Sequence, residues 1–139
     1  MKRLITISLF LLLIILTPSA YSQRNAKEQL NEDLSSPLFR TNNEVIFDFV
    51  HEQQQADGYL NILEWMKGRV AGLQLVYRRG EWIPIIRNQR AQLYIDEMPV
   101  DPGYLNGFPI SDIAMIKVIK APFIASSGNG VIAIYSKRE

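Results

Sequence analysis

Cysteine is absent, and histidine occurs once, at position 51. With no thiol there is no disulfide to brace a small exported domain and no cysteine at a signal-cleavage site to carry a lipid anchor, so hydrophobic packing has to suffice. A single imidazole without thiols supplies no zinc ligand set, and His51 reads as a helix-end or surface residue. Charge of one sign is not in excess either: 15 Lys and Arg stand against 14 Asp and Glu, a formal net charge of +1. Nothing in that balance steers toward nucleic acid or anionic lipid. The densest basic group, Arg78, Arg79, Arg87 and Arg90, has Glu81 interleaved and lacks the aromatic spacing of a stacking platform, so it reads as a solvated face. A membrane helix needs roughly 20 apolar residues, and the stretch from Leu4 to Leu16 is shorter and interrupted by Thr6 and Ser8.

That stretch is instead a secretory signal. Lys2 and Arg3 give a short positive region, Leu9 to Leu16 is unbroken apolar, and Thr17 to Ser22 supplies small residues for cleavage. Cleavage after Ser22, with Ala20 three residues back, leaves a mature chain starting at Gln23. Residues 1–22 are therefore read as a signal peptide, and the remaining 117 residues carry 13 basic and 14 acidic side chains. That length supports one modest core.

Residues 23–43 are polar, with Pro37 among them and few apolar positions, and read as a leader or linker. Leu30, Leu34 and Leu38 recur every four residues, which predicts a short helix over 26–34 that stops near Pro37. Asn43 is a possible cap for a helix starting at Glu44, with Val45, Ile46, Phe49 and Val50 on one stripe; a strand over 45–50 competes, and helix is favoured. Beyond the Asp57-Gly58 turn signal, Leu60, Leu63, Met66 and Val70 trace one helical face that should pack on a sheet. Gly72 is placed to end that helix in a left-handed conformation, Gly68 to permit close packing and Arg69 to reach carbonyls at the helix end.

Strands follow at Leu73–Val76, at Trp82–Ile86, Leu93–Ile95, Ile113–Ile119 and Val131–Tyr135. Pro84 assigns Trp82–Ile86 to an edge, and Lys117 and Lys120 fall near the exit of their strand. Ser111 is expected to cap a short turn, and Ser126-Ser127-Gly128-Asn129-Gly130 makes a flexible turn before the last strand. These segments predict an α/β (α+β) domain over 44–139, a small mixed sheet packed on one or two helices. Leu73–Val76 is expected to share its sheet with the three later strands, Leu93–Ile95, Ile113–Ile119 and Val131–Tyr135.

Two runs carry a family resemblance. ILEWMKGRVAGLQLV, residues 62–76, and ISDIAMIKVIKAPFIASSGNGVIAIYSKRE, residues 110–139, resemble the plug domain of TonB-dependent outer-membrane receptors, and the likeness covers about 59–139. No barrel segment follows, so the chain looks like a barrel-less, standalone plug-like module of the Bacteroidetes type. Its motif positions are Gly68, Arg69, Gly72, Asp96, Pro99, Gly128 and Gly130. Two departures stand out: Arg87-Asn88 where the family usually has Arg-Gly, and Asp96-Glu97 where it has Asp-Gly. Asn88 tolerates positive φ, but Glu97 does not, so the turn after Asp96 is expected to use a geometry that does not require glycine.

Catalysis finds little support in the residues. Gly128-Asn129-Gly130 feeds a β run rather than a helix N-terminus and does not form a phosphate loop. Asp96, Glu97, Asp101 and Asp112 read as turn residues more simply than as a glycosidase pair or a calcium loop. No Gly-x-Ser-x-Gly elbow is present. No cofactor is expected.

The resemblance implies a non-catalytic protein-interaction module in the periplasm or at the periphery of the outer membrane, associated with transport or secretion machinery. Its implied partner is an outer-membrane protein or a receptor barrel acting in trans, with no nucleic acid and no transmembrane span in the mature chain. The alternative is a glycan- or peptide-binding domain using Trp82, Tyr94 and Tyr104, with Trp65 nearer the core. Loops carry the expected contact surface: Arg87, Asn88 and Arg90; Asp101, Tyr104 and Phe108; Phe123 and Asn129. Phe123 is expected either to cover the core or to dock into the partner.

Overall fold

A computed structural model describes residues 18–52, 54–120 and 129–138, with side chains from residue 22 onward. Phe123, Gly128 and most of the proposed signal peptide lie outside the described residues.

The middle layer is a five-stranded mixed sheet in the order β1-β7-β8-β5-β6, formed by β1 (Glu44–Asp48), β5 (Gln92–Ile95), β6 (Met98–Val100), β7 (Ile113–Ile119) and β8 (Val131–Ser136). All its pairings are antiparallel except β5 with β8. The two strands with the longest apolar runs are the ones buried on both faces, since every residue of β7 and every residue of β8 up to Tyr135 is buried. A near-continuous apolar strand is what double-sided burial requires.

The two faces of the sheet have different cores. Ile113, Ile116, Val118, Ile132, Ile134, Leu93 and Ile95 meet the short helix α2 (Ile62–Met66) and a second sheet. On the opposite face, Met115, Ile119, Val131, Ala133, Tyr135 and Tyr94 meet Leu30 and Phe39, with Leu34 at the margin. Those last three belong to α1 (Pro18–Leu34) and the 3-10 turn Pro37–Phe39. Residues 23–43 thus supply one wall of the core. Leu38, the third residue of the leucine series, is exposed because the helix has already ended. Arg40 donates to the carbonyls of Glu32 and Ser35, satisfying acceptors at the end of α1.

The second sheet is antiparallel, in the order β2-β3-β4: β2 (Leu73–Arg78), β3 (Glu81–Ile86) and β4 (Gln89–Arg90). Three sequence expectations are corrected by the strand pairing. Residues 45–50 are not helical, because β1 pairs with β7 from Glu44–Ile119 to Asp48–Met115 and tertiary pairing decides between two close local preferences. Leu73–Val76 lies in the small sheet, apart from the other three predicted strands. Trp82–Ile86 is the central strand of that sheet, not an edge. Pro84 fits there because it accepts from the Ala91 N–H, 2.9 Å away, and the turn at Arg78–Glu81 sets Pro84 opposite Leu75 at a position that bonds no β2 group.

The predicted helix over 60–70 shrinks to α2. Asn61 caps it, its side-chain oxygen accepting from the Leu63 N–H at 2.9 Å, which leaves Leu60 outside the helix and 90% exposed. Gly68, at φ +78, lies just past its end; a Cβ there would meet nothing within 4 Å, so backbone conformation rather than close packing explains the glycine.

Candidate functional site

The three loops singled out from sequence each send a residue to one cleft. Arg90 at the end of β4, Asp101 after β6 and Asn129 before β8 line an open depression of ≈ 370 Å³ whose walls include Leu93, Pro99, Val100 and Pro102. It sits at the end of the larger sheet where β5 and β8 begin side by side and β6 leaves. The Gln92 N–H donates to the Gly130 carbonyl at 2.9 Å, tying the two strand entries together. Gly130 is a packing requirement, because a Cβ built on it would lie 2.9 Å from the Ile86 Cβ. Arg90 and Asp101 are both exposed, and neither forms an ion pair among the described residues. The cleft therefore presents one cation and one anion beside apolar walls.

The remaining predicted residues lie elsewhere. Arg87 and Asn88 are the two central residues of the β3–β4 turn, at φ +53 and +62, the signs of a type I′ turn. Tyr104 and Phe108 flank the end of a 3-10 helix, Pro102–Asn106, with ring centroids 6.4 Å apart. Asn106 holds this segment by donating to the Gly80 carbonyl at 3.1 Å and accepting from the Asn61 side chain at 2.9 Å. Ser111 lies within the next 3-10 helix, which Pro109 precedes at the cap position, so it does not cap it. Arg69 donates to the Trp65 carbonyl and stacks its guanidinium 4.7 Å from the Trp65 ring centroid.

The aromatic alternative loses members. Trp65 is buried against Phe47 and Phe49, its indole N–H donating to the Gln55 carbonyl. Tyr94 is buried edge-on to Phe39, contrary to its reading as an exposed aromatic. Trp82 is half-buried and tilted 56° against Tyr77, a surface aromatic that the sequence reading did not single out.

The turn after Asp96 is also corrected. Asp96 and Glu97 take φ +47 and +67 despite the missing glycine. Hydrogen bonds offset the strain: Asp96 accepts from the Ser136 N–H at 2.9 Å and hydroxyl at 2.7 Å, and Glu97 accepts from the Ser36 N–H at 2.6 Å and the Tyr135 hydroxyl at 3.2 Å. These carboxylates are committed to holding β6, β8 and the residues after α1 together. Among the described residues, no three His, Asp or Glu side chains gather to hold a metal ion.

A second polar constellation escaped the sequence reading. Lys117, in mid-strand of β7, is completely buried against α1. Its ammonium forms an ion pair with Glu44 at 3.1 Å and donates to Asn31 at 2.6 Å and Ser35 at 3.4 Å. Burial pulls its pKa below the ordinary lysine value, with Glu44 opposing the shift. Nearby, burial pushes the Tyr135 phenol well above its ordinary value, and Glu97 adds to the shift. The available signal was a lysine interrupting a seven-residue apolar strand.

Neither a protein-family model nor a curated protein matches the chain. Among solved structures it is similar to a chain of the RagAB peptide importer in its 'open-open' state, with TM-score 0.55 and 16% identity over 74% of this chain and 13% of that one. It is also similar to a chain of the RagAB peptide transporter, with TM-score 0.53 and 19% identity over 75% of this chain and 13% of that one. At these identities the likeness is one of fold, and this chain spans about one-eighth of those chains' length. Among the described residues, no helix is long and apolar enough to cross a membrane.

Proposed function

We propose that the chain is a non-catalytic, plug-like interaction module of an outer-membrane transport or secretion system. It is exported and works in the periplasm or at the periphery of the outer membrane, engaging a protein partner such as a receptor barrel in trans. The observation that carries this reading is the shared fold with about one-eighth of much longer chains in a peptide importer. A plug-sized unit matching part of a transporter is a candidate to associate with such machinery, although fold alone does not assign function. The cleft of Arg90, Asp101 and Asn129 gives the module a mixed-charge contact surface. Commitment of Asp96 and Glu97 to structural bonds supports the non-catalytic assignment.

Between the alternative ligands, a peptide fits better than a glycan. Burial of Tyr94 removes one of the three aromatics expected to be exposed, whereas paired charges beside apolar walls suit a peptide. Affinity capture of the tagged, exported chain from its own solubilised envelope tests the proposal. Stoichiometric recovery of an outer-membrane barrel is expected, and its loss in an Arg90→Glu, Asp101→Lys double variant would place contact at the cleft. Recovery of the chain alone, or in complex only with cytoplasmic proteins, would refute the reading.

A further inference from the structure

Among the described residues, β2 is an edge strand that is open from Leu75 onward and pairs with β3 alone, through a hairpin whose turn begins at Arg78 and ends at Glu81. The ends of such a turn are a hydrogen-bonded pair. Alternation along the ladder then makes Val76–Ile83 and Gln74–Ile85 bonded pairs as well. The N–H and C=O groups of Leu73, Leu75 and Tyr77 therefore point away from β3. The Leu73 N–H is used by the Val70 carbonyl at 3.2 Å, whereas Leu75 and Tyr77 have no backbone partner on that side among the described residues.

The other sheet edges are blunted. β6 is three residues long with Pro99 at its centre, β4 is two residues long, and β1 is half-buried and in contact with α1. Short strands, prolines and covering elements are the usual means of denying an edge to other chains. Among the described residues, β2 has none of them: six residues, no proline and no lysine, with Val76 44% and Tyr77 61% exposed. Its hairpin end carries Arg78 and Arg79, and neither is in an ion pair among the described residues. Glu81, across from Arg78, turns its carboxylate against Gly103 instead.

We propose that β2 accepts an extended peptide segment of a protein partner as a fourth strand of the small sheet, with alternating β-branched residues and a carboxylate at the end that meets Arg78 and Arg79. Backbone bonds to Leu75 and Tyr77 provide the general affinity, and the arginines select an acidic segment over a basic one. The β2 edge lies across the small sheet from β4 and Arg90, so the inference goes beyond the cleft and does not depend on the transport reading.

The probe is the heptapeptide fluoresceinyl-Glu-Thr-Val-Thr-Val-Thr-Glu-amide, labelled at its N-terminal amine, whose acidic ends serve either strand direction. Anisotropy titration of the exported protein should show saturable binding, with a lysine-ended counterpart about tenfold weaker. An Arg78→Glu, Arg79→Glu double variant should reverse that ranking. Tyr77→Pro, which removes an outward N–H without taking a bond from β3, should weaken binding by about tenfold or more. In the unaltered protein, amide hydrogen exchange at Leu75 and Tyr77 should slow at saturation, while Val76 and Arg78, already bonded to β3, change less; this holds as a test even where a variant fails to fold. No binding by the acidic probe, binding with unchanged exchange at Leu75 and Tyr77, or β2-mediated pairing of two copies that the probe does not displace would each overturn the proposal.

Discussion

Replacing Glu44 by leucine strands the buried ammonium of Lys117. In the native chain this cation has one anionic partner at 3.1 Å and two neutral acceptors, Asn31 and Ser35, with no side-chain exposure to water. Burial already disfavours its charged form, and Glu44 provides the leading opposing influence. Removing one partner of a buried pair costs about 3–5 kcal/mol, because the remaining charge keeps its desolvation penalty and loses its compensation. For a domain near this size that corresponds to a fall of roughly 12–20 °C in melting temperature. Lys117→Met in the same background removes the stranded charge and should recover most of the loss, since an apolar replacement of similar volume is often neutral or stabilising. Thermal and urea unfolding at neutral pH, followed by near-UV circular dichroism, would compare the native chain, both single variants and the double variant. A Glu44→Leu protein melting within about 3 °C of the native chain would refute the reasoning. So would a double variant less stable than Glu44→Leu alone.

Alkaline titration should reveal two opposed groups. Lys117 has a lowered folded pKa, so its penalty fades as pH rises toward 10.5; Tyr135 has a raised one, so its contribution is complete below 10.0 and is lost as pH rises further. Tyr135→Phe should therefore remove the part of the stability loss above about pH 10 that denaturant midpoints assign to this phenol. Gly130→Ala should cost about 1–3 kcal/mol in urea unfolding. The added Cβ meets the Ile86 branch point at 2.9 Å, so Ile86→Val should return only part of that. Phe39→Ala should cost about 3–5 kcal/mol, because its ring is buried on Tyr94; a melting temperature unchanged by the substitution would mean residues 23–43 do not contribute to the core.

Period and turn chemistry made the α+β class legible. β7 and β8 stand out as apolar runs bounded by turns, and the alternation of Leu93-Tyr94-Ile95 marks β5. What one-dimensional reading missed was decided by pairing between distant segments. Residues 45–50 carry both a helical stripe and β-branched character, and the unpaired side of β7 selects the strand. Pro84 was read as an edge marker because its missing N–H is visible in sequence, whereas the direction in which that N–H would have pointed is not. Glu97 looked incompatible with positive φ because Ser36 and Tyr135, which hold it, are 61 and 38 residues away. Loop composition made Arg90, Asp101 and Asn129 candidates, but their convergence on one cleft depends on the pairing of β5 with β8 and was not legible in sequence. Tyr104 and Phe108 were attached to the same loop, but the 3-10 helix over 102–106 carries them away from it.

The central position of β8 has a consequence for the order of events during synthesis. β8 lies between β7 and β5, yet it is the last of the three to leave the ribosome, and its parallel partner β5 precedes it by about forty residues. Until residue 136 has emerged, β7 and β5 each display an unpaired apolar border, and neither core face can close. Contacts of such long sequence separation form late and slowly. A nascent chain that cannot complete its sheet keeps both apolar borders exposed, and it depends on being shielded from other unfinished chains until β8 arrives.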